Sequence, residues 1–407
     1  MHIETTLVIL FSIATAAAIA ARWLKIPYTV ALVVAGIVLG ATHLIDPPHL
    51  THDLVFATIL PGLLFEAAFN MDAAVFLRNK VAISALAIPG VIVAIVIAGS
   101  GTAVAIWGLA PSAGFTLRQG LVFGALVAAT DPIAVVALFK ELRVPVRLAT
   151  LVEGESLVND GTSIVFFSLL LAVVAGTATS TGQLVLQFVI IVGGGAFLGF
   201  AAGHLASMLI ARIDDAVIEI TITVITAYGT FAMAEQLGVS GVIATVVAAM
   251  YCGTRGWSAG MSRKTKYALT SFWDYLAFAL NSVVFLLIGF EVSGLDLLNA
   301  WSEIVVAFVV VLIARAAVVF GVGTLLRRSR QAIPTGWLSV MTWGGLRGAL
   351  SMVLALSLPF DFPNRARLIT LTFGVVVLSI VLQGLTMERL LRRIGVVKPE
   401  PDETVEA

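Results

Sequence analysis

The segment EGESLVNDGTS occupies residues 153–163 and lies inside an otherwise apolar run from about residue 148 to 175. An ionisable side chain near the centre of a membrane span costs about 2.5–3.5 kcal/mol, and it persists when it faces a cavity or a partner. Ser156 and Asp160 are four residues apart, so they share one face of a helix. The segment therefore predicts a membrane-spanning helix with a polar site near its centre.

Composition indicates that most of the chain faces lipid rather than water. Of its 407 residues, 59% are hydrophobic and 12% are charged, and the mean hydropathy is +1.05. Soluble domains are about half apolar and about a quarter charged. The formal net charge of zero disfavours a nucleic-acid-binding protein. The single cysteine, Cys252, excludes a disulfide framework and a cysteine-based zinc site.

Thirteen stretches of the chain approach the length and apolarity of a membrane-spanning helix, which needs roughly 20 mostly apolar residues. They lie near residues 4–22, 27–44, 53–70, 81–108, 117–138, 148–175, 183–210, 216–235, 238–254, 271–290, 302–326, 334–357 and 366–387. The connections between them are short, so no inserted soluble domain is expected. The sequence predicts an all-α polytopic membrane protein.

The distribution of basic residues predicts how the chain is oriented, because Lys and Arg concentrate in cytoplasmic loops. With the N-terminus outside and the C-terminus in the cytoplasm, nineteen basic residues fall on the cytoplasmic side and three on the outer side. The other two, Arg315 and Arg347, fall at membrane depth. The strength of this asymmetry also supports the count of thirteen spans.

The odd number of spans allows two six-helix repeats of opposite orientation, joined by the seventh span. Inverted repeats of this kind place discontinuous helices at the midplane of secondary transporters. The fifth span contains ATDP at residues 129–132, where proline removes a backbone donor and disfavours helix at Asp131. The twelfth span contains GGLRG at residues 344–348, where glycines weaken the helix. We therefore expect crossing unwound helices in spans five and twelve.

Seven charged residues cluster in the interior of the expected spans, and the remaining charges lie mostly at span ends. The seven are Glu66, Asp131, Glu153, Glu155, Asp160, Arg315 and Arg347. Asp131, Glu155 and Asp160 face the two arginines, which stay protonated and can neutralise two of these three carboxylates permanently. We expect Glu155 to pair with Arg315 and Asp131 to pair with Arg347. Asp160 is then free to carry either a proton or a cation.

The side chains around Asp160 indicate the kind of ligand that it holds. Ser156 offers a hydroxyl, Asn159 an amide carbonyl, and the unwound fifth span a backbone carbonyl at Thr130. Such hard oxygen ligands suit a partly dehydrated alkali cation, whereas thiols or imidazoles would suit a transition metal. The expected site therefore needs no cofactor and no metal beyond the transported alkali cation.

These motifs resemble the cation:proton antiporter family, in the branch that contains archaeal, bacterial and animal sodium/proton exchangers. The resemblance rests on EGESLVNDG at residues 153–161, ATDP at 129–132 and GGLRG at 344–348, and it extends over roughly residues 5–390. The span-six motif is the more specific of these signals.

The resemblance implies the identity of the site residues and the assembly of the protein. In that family the Asn-Asp pair, which matches Asn159 and Asp160 here, marks the ion site, with Ser156, Thr130 and Glu66 as further site residues. It implies a homodimer in which a mobile core domain moves against a scaffold-like dimerisation domain. It also implies electroneutral exchange, because electrogenic relatives carry a second Asp where this chain has Asn159.

The expected domain organisation follows from the span count and the resemblance. We expect a transmembrane antiporter domain at 1–393, with its core at about 81–175 and 302–387, its scaffold at about 4–70 and 216–290, a linker helix at about 183–210, and a short cytoplasmic tail at 394–407.

The expected function is electroneutral exchange of a monovalent cation for protons in the cell inner membrane. Na⁺ is the expected cation, and the sequence does not separate it from Li⁺ or K⁺. A K⁺-selective antiporter and a passive cation channel are the alternatives. An enzyme is disfavoured, since the sequence contains no HExxH or GxSxG motif.

Overall fold

The protein is built from helices. The computed structural model describes residues 3–24, 26–42, 53–176, 180–258, 263–293, 295 and 297–396, and these residues include no strand. Their eighteen α-helices are α1 (Ile3–Leu24), α2 (Tyr28–Thr42), α3 (Leu60–Asn70), α4 (Ala73–Arg78), α5 (Lys80–Ala87), α6 (Pro89–Leu109), α7 (Leu117–Leu126), α8 (Ile133–Glu141), α9 (Val146–Val174), α10 (Thr181–Ile210), α11 (Ala216–Gln236), α12 (Gly241–Ser258), α13 (Arg263–Ser293), α14 (Trp301–Leu325), α15 (Thr335–Trp343), α16 (Ala349–Leu356), α17 (Arg365–Leu378) and α18 (Gly384–Ile394).

Many of these helices have the length and composition of membrane spans. Seven described segments are long and apolar enough to cross a membrane: Lys80–Leu109, Val146–Val174, Thr181–Ile210, Ala216–Gln236, Thr265–Val292, Trp301–Arg328 and Arg365–Ile394. Four apolar segments are shorter: Val8–Leu24, Tyr28–Thr42, Leu54–Asn70 and Gly241–Thr254. A helix satisfies its backbone polar groups internally, as lipid requires. The chain is therefore a multi-pass helical membrane protein.

Two further apolar stretches are each interrupted in the middle. Helix α7 ends at Leu126 and α8 begins only at Ile133, so the residues around Pro132 leave the helix. Helix α15 ends at Trp343 and α16 begins at Ala349, after the glycine-rich stretch. The backbone N–H of Asp131 donates to the carbonyl of Leu346 at 2.8 Å. The two interruptions therefore meet, and they are joined by a backbone hydrogen bond.

The loops that follow the two interrupted stretches share an uncommon backbone conformation. Arg143, between α8 and α9, has φ of 51°, and Asn364, between α16 and α17, has φ of 60°. They are the two non-glycine residues with positive φ in the described part of the chain. Each stands shortly before the long helix that follows its interrupted stretch.

Helix α13 packs closely against α2. A Cβ atom added to Gly289 would lie 2.7 Å from the Cα atom of Gly36, so both positions need glycine for this approach. Close contact through small residues is a common basis of helix association in membranes. Helix α13 also packs against α3 and α16, so it borders both the α2–α3 side and the second interrupted stretch.

Some helix boundaries differ from those expected from hydropathy. Helix α13 begins at Arg263, although its apolar part was expected to begin near 271, because a helix continues past its lipid-facing section into polar residues. Residues 80–109 form two helices that meet at Ile88, since Pro89 starts a new helix. Residues 397–407, most of the expected tail, lie outside the described residues.

Candidate cation-binding site

The carboxylate of Asp131 lies at the start of α8. Its Oδ1 accepts from the backbone N–H of Ile133 at 3.1 Å. The carboxylate also lies against Gly348 at the start of α16, where an added Cβ would overlap it. Helix N-termini carry positive partial charge, which stabilises an anion there. The Asp131 carboxylate therefore lies at the N-termini of two helices, α8 and α16.

Arg347 contacts the opposite kind of helix end. Its Nη1 donates to the carbonyls of Ala128 and Ala129 at 2.8 and 3.0 Å, just beyond the last residue of α7. Its backbone N–H donates to Ser379 Oγ at 3.0 Å. The expected pair of Asp131 with Arg347 is not formed. The reason is that each charge is satisfied by the helix end beside it, the cation by carbonyls and the anion by an N–H.

Glu155 and Arg315 form a buried bidentate ion pair. The guanidinium nitrogens Nη1 and Nη2 each donate to one carboxylate oxygen at 2.7 Å. The side chains of Arg315 and Glu155 are only 7% and 2% exposed. Arg315 also donates to the carbonyl of Met341, near the end of α15. This pair was expected from the sequence, and it ties α9 to α14 and to the second interrupted stretch.

Asn159 braces the first interrupted stretch rather than facing the cavity. Its Nδ2 donates to the carbonyl of Ala128 and to Thr130 Oγ1, both at 3.1 Å. Its Oδ1 accepts from Ser163 Oγ at 2.6 Å. The sequence suggested that the Asn159 amide carbonyl supplies a ligand oxygen. In the structure, both the nitrogen and the oxygen of this amide are hydrogen-bonded to groups of the protein instead.

The remaining expected ligands line one large cavity, of about 760 Å³. Asp160, Ser156 and Thr130 lie on the α9 and α7–α8 side of it. The Ser156 hydroxyl donates to the backbone carbonyl of Thr130, and Thr130 Oγ1 lies 3.4 Å from Ser156 Oγ. Asp160 forms no hydrogen bond or ion pair within the described residues. A free carboxylate thus stands beside a hydroxyl and a carbonyl at a water-accessible surface.

Glu66 reaches the same cavity from the other side. It lies on α3, and its Oε1 accepts from Asn70 Nδ2 at 2.9 Å. Tyr28 on α2 and Asn281 on α13 also line this side. Sequence reasoning did not single out these last two residues. Positions 274, 277, 278 and 281 share one face of α13, and 274 and 281 are polar. This helical spacing of polar residues was the signal in the sequence that could have identified Asn281.

Comparison with known proteins places this arrangement in a class of membrane transport proteins. The family model described as "Sodium/hydrogen exchanger, transmembrane" matches residues 8–393. The chain belongs to this family.

Individual relatives are similar over most of their length. The chain is 37% identical over 401 residues to the Na(+)/H(+) antiporter ApNhaP of Aphanothece halophytica, covering 97% of this chain and 75% of the relative. It is 35% identical to the Na(+)/H(+) antiporter NhaH of Halobacillus dabanensis, covering 96% and 98%. The fold is similar to that of the sodium proton antiporter MjNhaP1 from Methanocaldococcus jannaschii, with a TM-score of 0.75 at 21% identity, covering 97% and 99%.

Proposed function

We propose that the protein is an electroneutral antiporter that exchanges a monovalent cation for a proton at Asp160 by alternating access. The observation that carries the proposal is the free carboxylate of Asp160, next to the Ser156 hydroxyl and the Thr130 carbonyl in the large cavity. These are hard oxygen ligands, which suit an alkali cation. Na⁺ is the proposed cation, since relatives that are 34–37% identical carry names as Na(+)/H(+) antiporters.

The charges around the site support a one-for-one exchange. Glu155 is neutralised by Arg315, and the opposite charges of Asp131 and Arg347 are each held at helix ends. Among the charges of Asp131, Glu155, Asp160, Arg315 and Arg347, one negative charge, that of Asp160, remains to be balanced by either H⁺ or a cation. A core that moves only when this charge is balanced carries one cation in one direction and one proton in the other.

The architecture that we propose has thirteen spans in two inverted repeats around the seventh, α10. It is supported by the position of both interrupted stretches in the fifth span of each half. The two residues with positive φ, Arg143 and Asn364, stand at matching places after them. Spans four to six and eleven to thirteen form the proposed mobile core, and the other spans except α10 form the scaffold of a homodimer in the cell inner membrane.

Competition between the cation and the proton is the first expected result. Protonated Asp160 has no charge with which to hold a cation, so a shared site makes the apparent cation affinity weaken as pH falls. Below the pKa of the site the weakening is about tenfold per pH unit, because one proton is displaced per cation bound. Cation-dependent dequenching of a pH dye in proteoliposomes, measured at several pH values, checks this. A cation affinity that does not change with pH would exclude the shared site.

Insensitivity to membrane voltage is the second expected result. One cation exchanged for one proton moves no net charge, so the membrane potential does no work on the cycle. Initial rates of Na⁺-dependent proton movement should stay the same when valinomycin and a K⁺ gradient impose potentials of either sign. The same rates measured with Li⁺ in place of Na⁺ at the same potentials are the control. Rates that change with the imposed potential would contradict the one-for-one stoichiometry.

A passive cation channel is the alternative from a different class, because it would use the same oxygen ligands. An exchanger moves protons in the direction opposite to that of the cation. A channel does not couple the two movements. The K⁺-selective antiporter is separated from the Na⁺ antiporter by adding Na⁺, Li⁺ and K⁺ in turn to the same proteoliposomes.

A further inference from the structure

The large cavity contains charged side chains beyond those that the proposed exchange requires. Six acidic and two basic residues line it. They are Glu66, Asp72, Asp131, Glu153, Asp160 and Asp274, with Lys140 and Arg143. A cavity lined by one sign of charge concentrates ions of the opposite sign. A basic side chain inside such a cavity works against this concentration, so its position matters.

Helices α8 and α9 place a lysine and a glutamate at about the same distance from the ion site along the cavity. On α9, Glu153 and Asp160 are seven residues apart on one face, which is two turns or about 10.5 Å. On α8, Lys140 comes seven residues after Ile133, whose N–H binds the Asp131 carboxylate. Lys140 and Glu153 therefore both lie about two helical turns from the ion site.

The cavity also reaches the loop between α8 and α9, where Arg143 and Val144 line it. Lys140 ends the cavity-lining face of α8, next to this loop, and Glu153 is closer to the loop than Asp160 is. An ion that travels through the cavity from this loop to Asp160 therefore passes both residues.

The other wall completes a group of charges at this level. Asp274 lines the cavity on α13, seven residues before Asn281, and Glu66 lines it on α3. Glu66 interacts electrostatically with Lys140 and with Asp274, and Glu153 interacts with Lys140 and with Glu66. We call Glu66, Lys140, Glu153 and Asp274 the upper ring. It contains three carboxylates and one ammonium group.

Lys140 is close enough to influence the carboxylates but is not bound to them. Its side chain is exposed. In the part of the chain that the structure describes, it forms no hydrogen bond and no ion pair within 4.0 Å. A lysine ammonium is a compact charge on a flexible stem. It can therefore stay near the carboxylates of the upper ring, or move aside, without breaking a fixed contact.

We infer that Lys140 is a tethered counter-ion of the upper ring. Its charge partly neutralises the negative potential of Glu66 and Glu153, and it thereby lowers the affinity of the cavity for the transported cation. The inference rests on the proposed exchange at Asp160 and adds a residue that sets its working concentration. A cation on its way to Asp160 competes with the ammonium group at the upper ring. The cation concentration needed for half-maximal transport is consequently higher than the carboxylates alone would require.

The test is transport kinetics of Lys140→Gln in everted membrane vesicles, with a pH dye as the readout. Removing one unit charge about 10 Å from the ion site should lower the half-maximal Na⁺ concentration roughly three- to tenfold at low ionic strength. The maximal rate should stay within about twofold, since Asp160 and its ligands are untouched. Added choline chloride should shrink the difference, because salt screens charges over about 10 Å at 0.1 M.

Three further variants keep the result specific. Lys140→Arg retains the charge and should resemble the wild type. Lys140→Gln combined with Glu153→Gln removes one charge of each sign and should restore a half-maximal concentration near that of the wild type. Arg143→Gln removes a basic charge from the same cavity outside the upper ring, and it should shift the half-maximal concentration less than Lys140→Gln does.

The inference is overturned if Lys140→Gln leaves the half-maximal Na⁺ concentration unchanged or raises it. It is also overturned if Arg143→Gln produces the same decrease, because the general charge of the cavity would then be the cause. Either result, with an active wild type and an inactive Asp160→Asn, leaves the proposed exchange intact. A wild type without Na⁺-dependent proton movement would instead remove the proposed function itself.

Discussion

Asp160→Asn is expected to reduce cation-dependent proton movement to the level of empty vesicles. The substitution keeps the size and shape of the side chain but removes both the charge that balances a cation and the group that carries a proton. Because Asp160 has no hydrogen bond or ion pair with another described residue, no internal contact is lost. Dequenching of a pH dye in everted vesicles, on addition of Na⁺ or Li⁺, measures the effect.

Asp361→Asn provides the matched control for this experiment. Asp361 is an exposed residue between α16 and α17, so the same chemical change there should leave transport unaffected. Size-exclusion chromatography and thermal melting of Asp160→Asn should match the wild type, which separates loss of function from loss of fold. Wild-type exchange rates in Asp160→Asn would show that the transported ions are held elsewhere.

Arg315→Ala is expected to give the largest loss of stability. The substitution leaves the carboxylate of Glu155 buried without its counter-charge, and breaking a buried pair in this way typically costs about 3–5 kcal/mol. It also leaves the carbonyl of Met341 without its donor. Thermal unfolding in detergent should therefore occur at a clearly lower temperature, and activity should fall in parallel.

Two comparisons make the cause specific. Arg315→Met combined with Glu155→Gln removes both charges and should recover part of the lost stability, since no unpaired charge is left. Arg347→Ala should also melt earlier, but by less, because it frees carbonyl groups of the α7 end rather than a carboxylate. If Arg315→Ala and Arg347→Ala both melt like the wild type, the charge scheme around the crossing is wrong.

Sequence reasoning located the elements of the site because each leaves a strong local signal. Charges inside apolar runs are rare, so Glu155, Asp160 and Arg315 stand out, and a proline or several glycines mark where a helix is interrupted. The pairing of Glu155 with Arg315 was proposed from the balance of charges, and the structure contains it. These inferences need only the order of residues and the cost of placing charge in lipid.

Contacts that depend on three-dimensional direction were less accessible from the sequence. The expected pairing of Asp131 with Arg347 was wrong, because Arg347 instead donates to two carbonyls just beyond the end of α7. Asn159 was recognised as part of the site, but which way its amide points depends on where the interrupted stretch passes. Lys140 lies just past the expected end of the fifth span at residue 138, and its neighbours in the cavity come from three other helices, so the sequence did not connect it with the site.

The hydrogen bond between the backbone N–H of Asp131 and the carbonyl of Leu346 has a consequence for how the two interrupted stretches evolve together. It is made by atoms that every residue except proline possesses at the donor position, so side-chain substitution at either residue leaves it available. Side chains in the two interrupted stretches can therefore be substituted during evolution while the alignment of the two stretches is kept. Mechanically, the bond resists sliding of one interrupted stretch along the other.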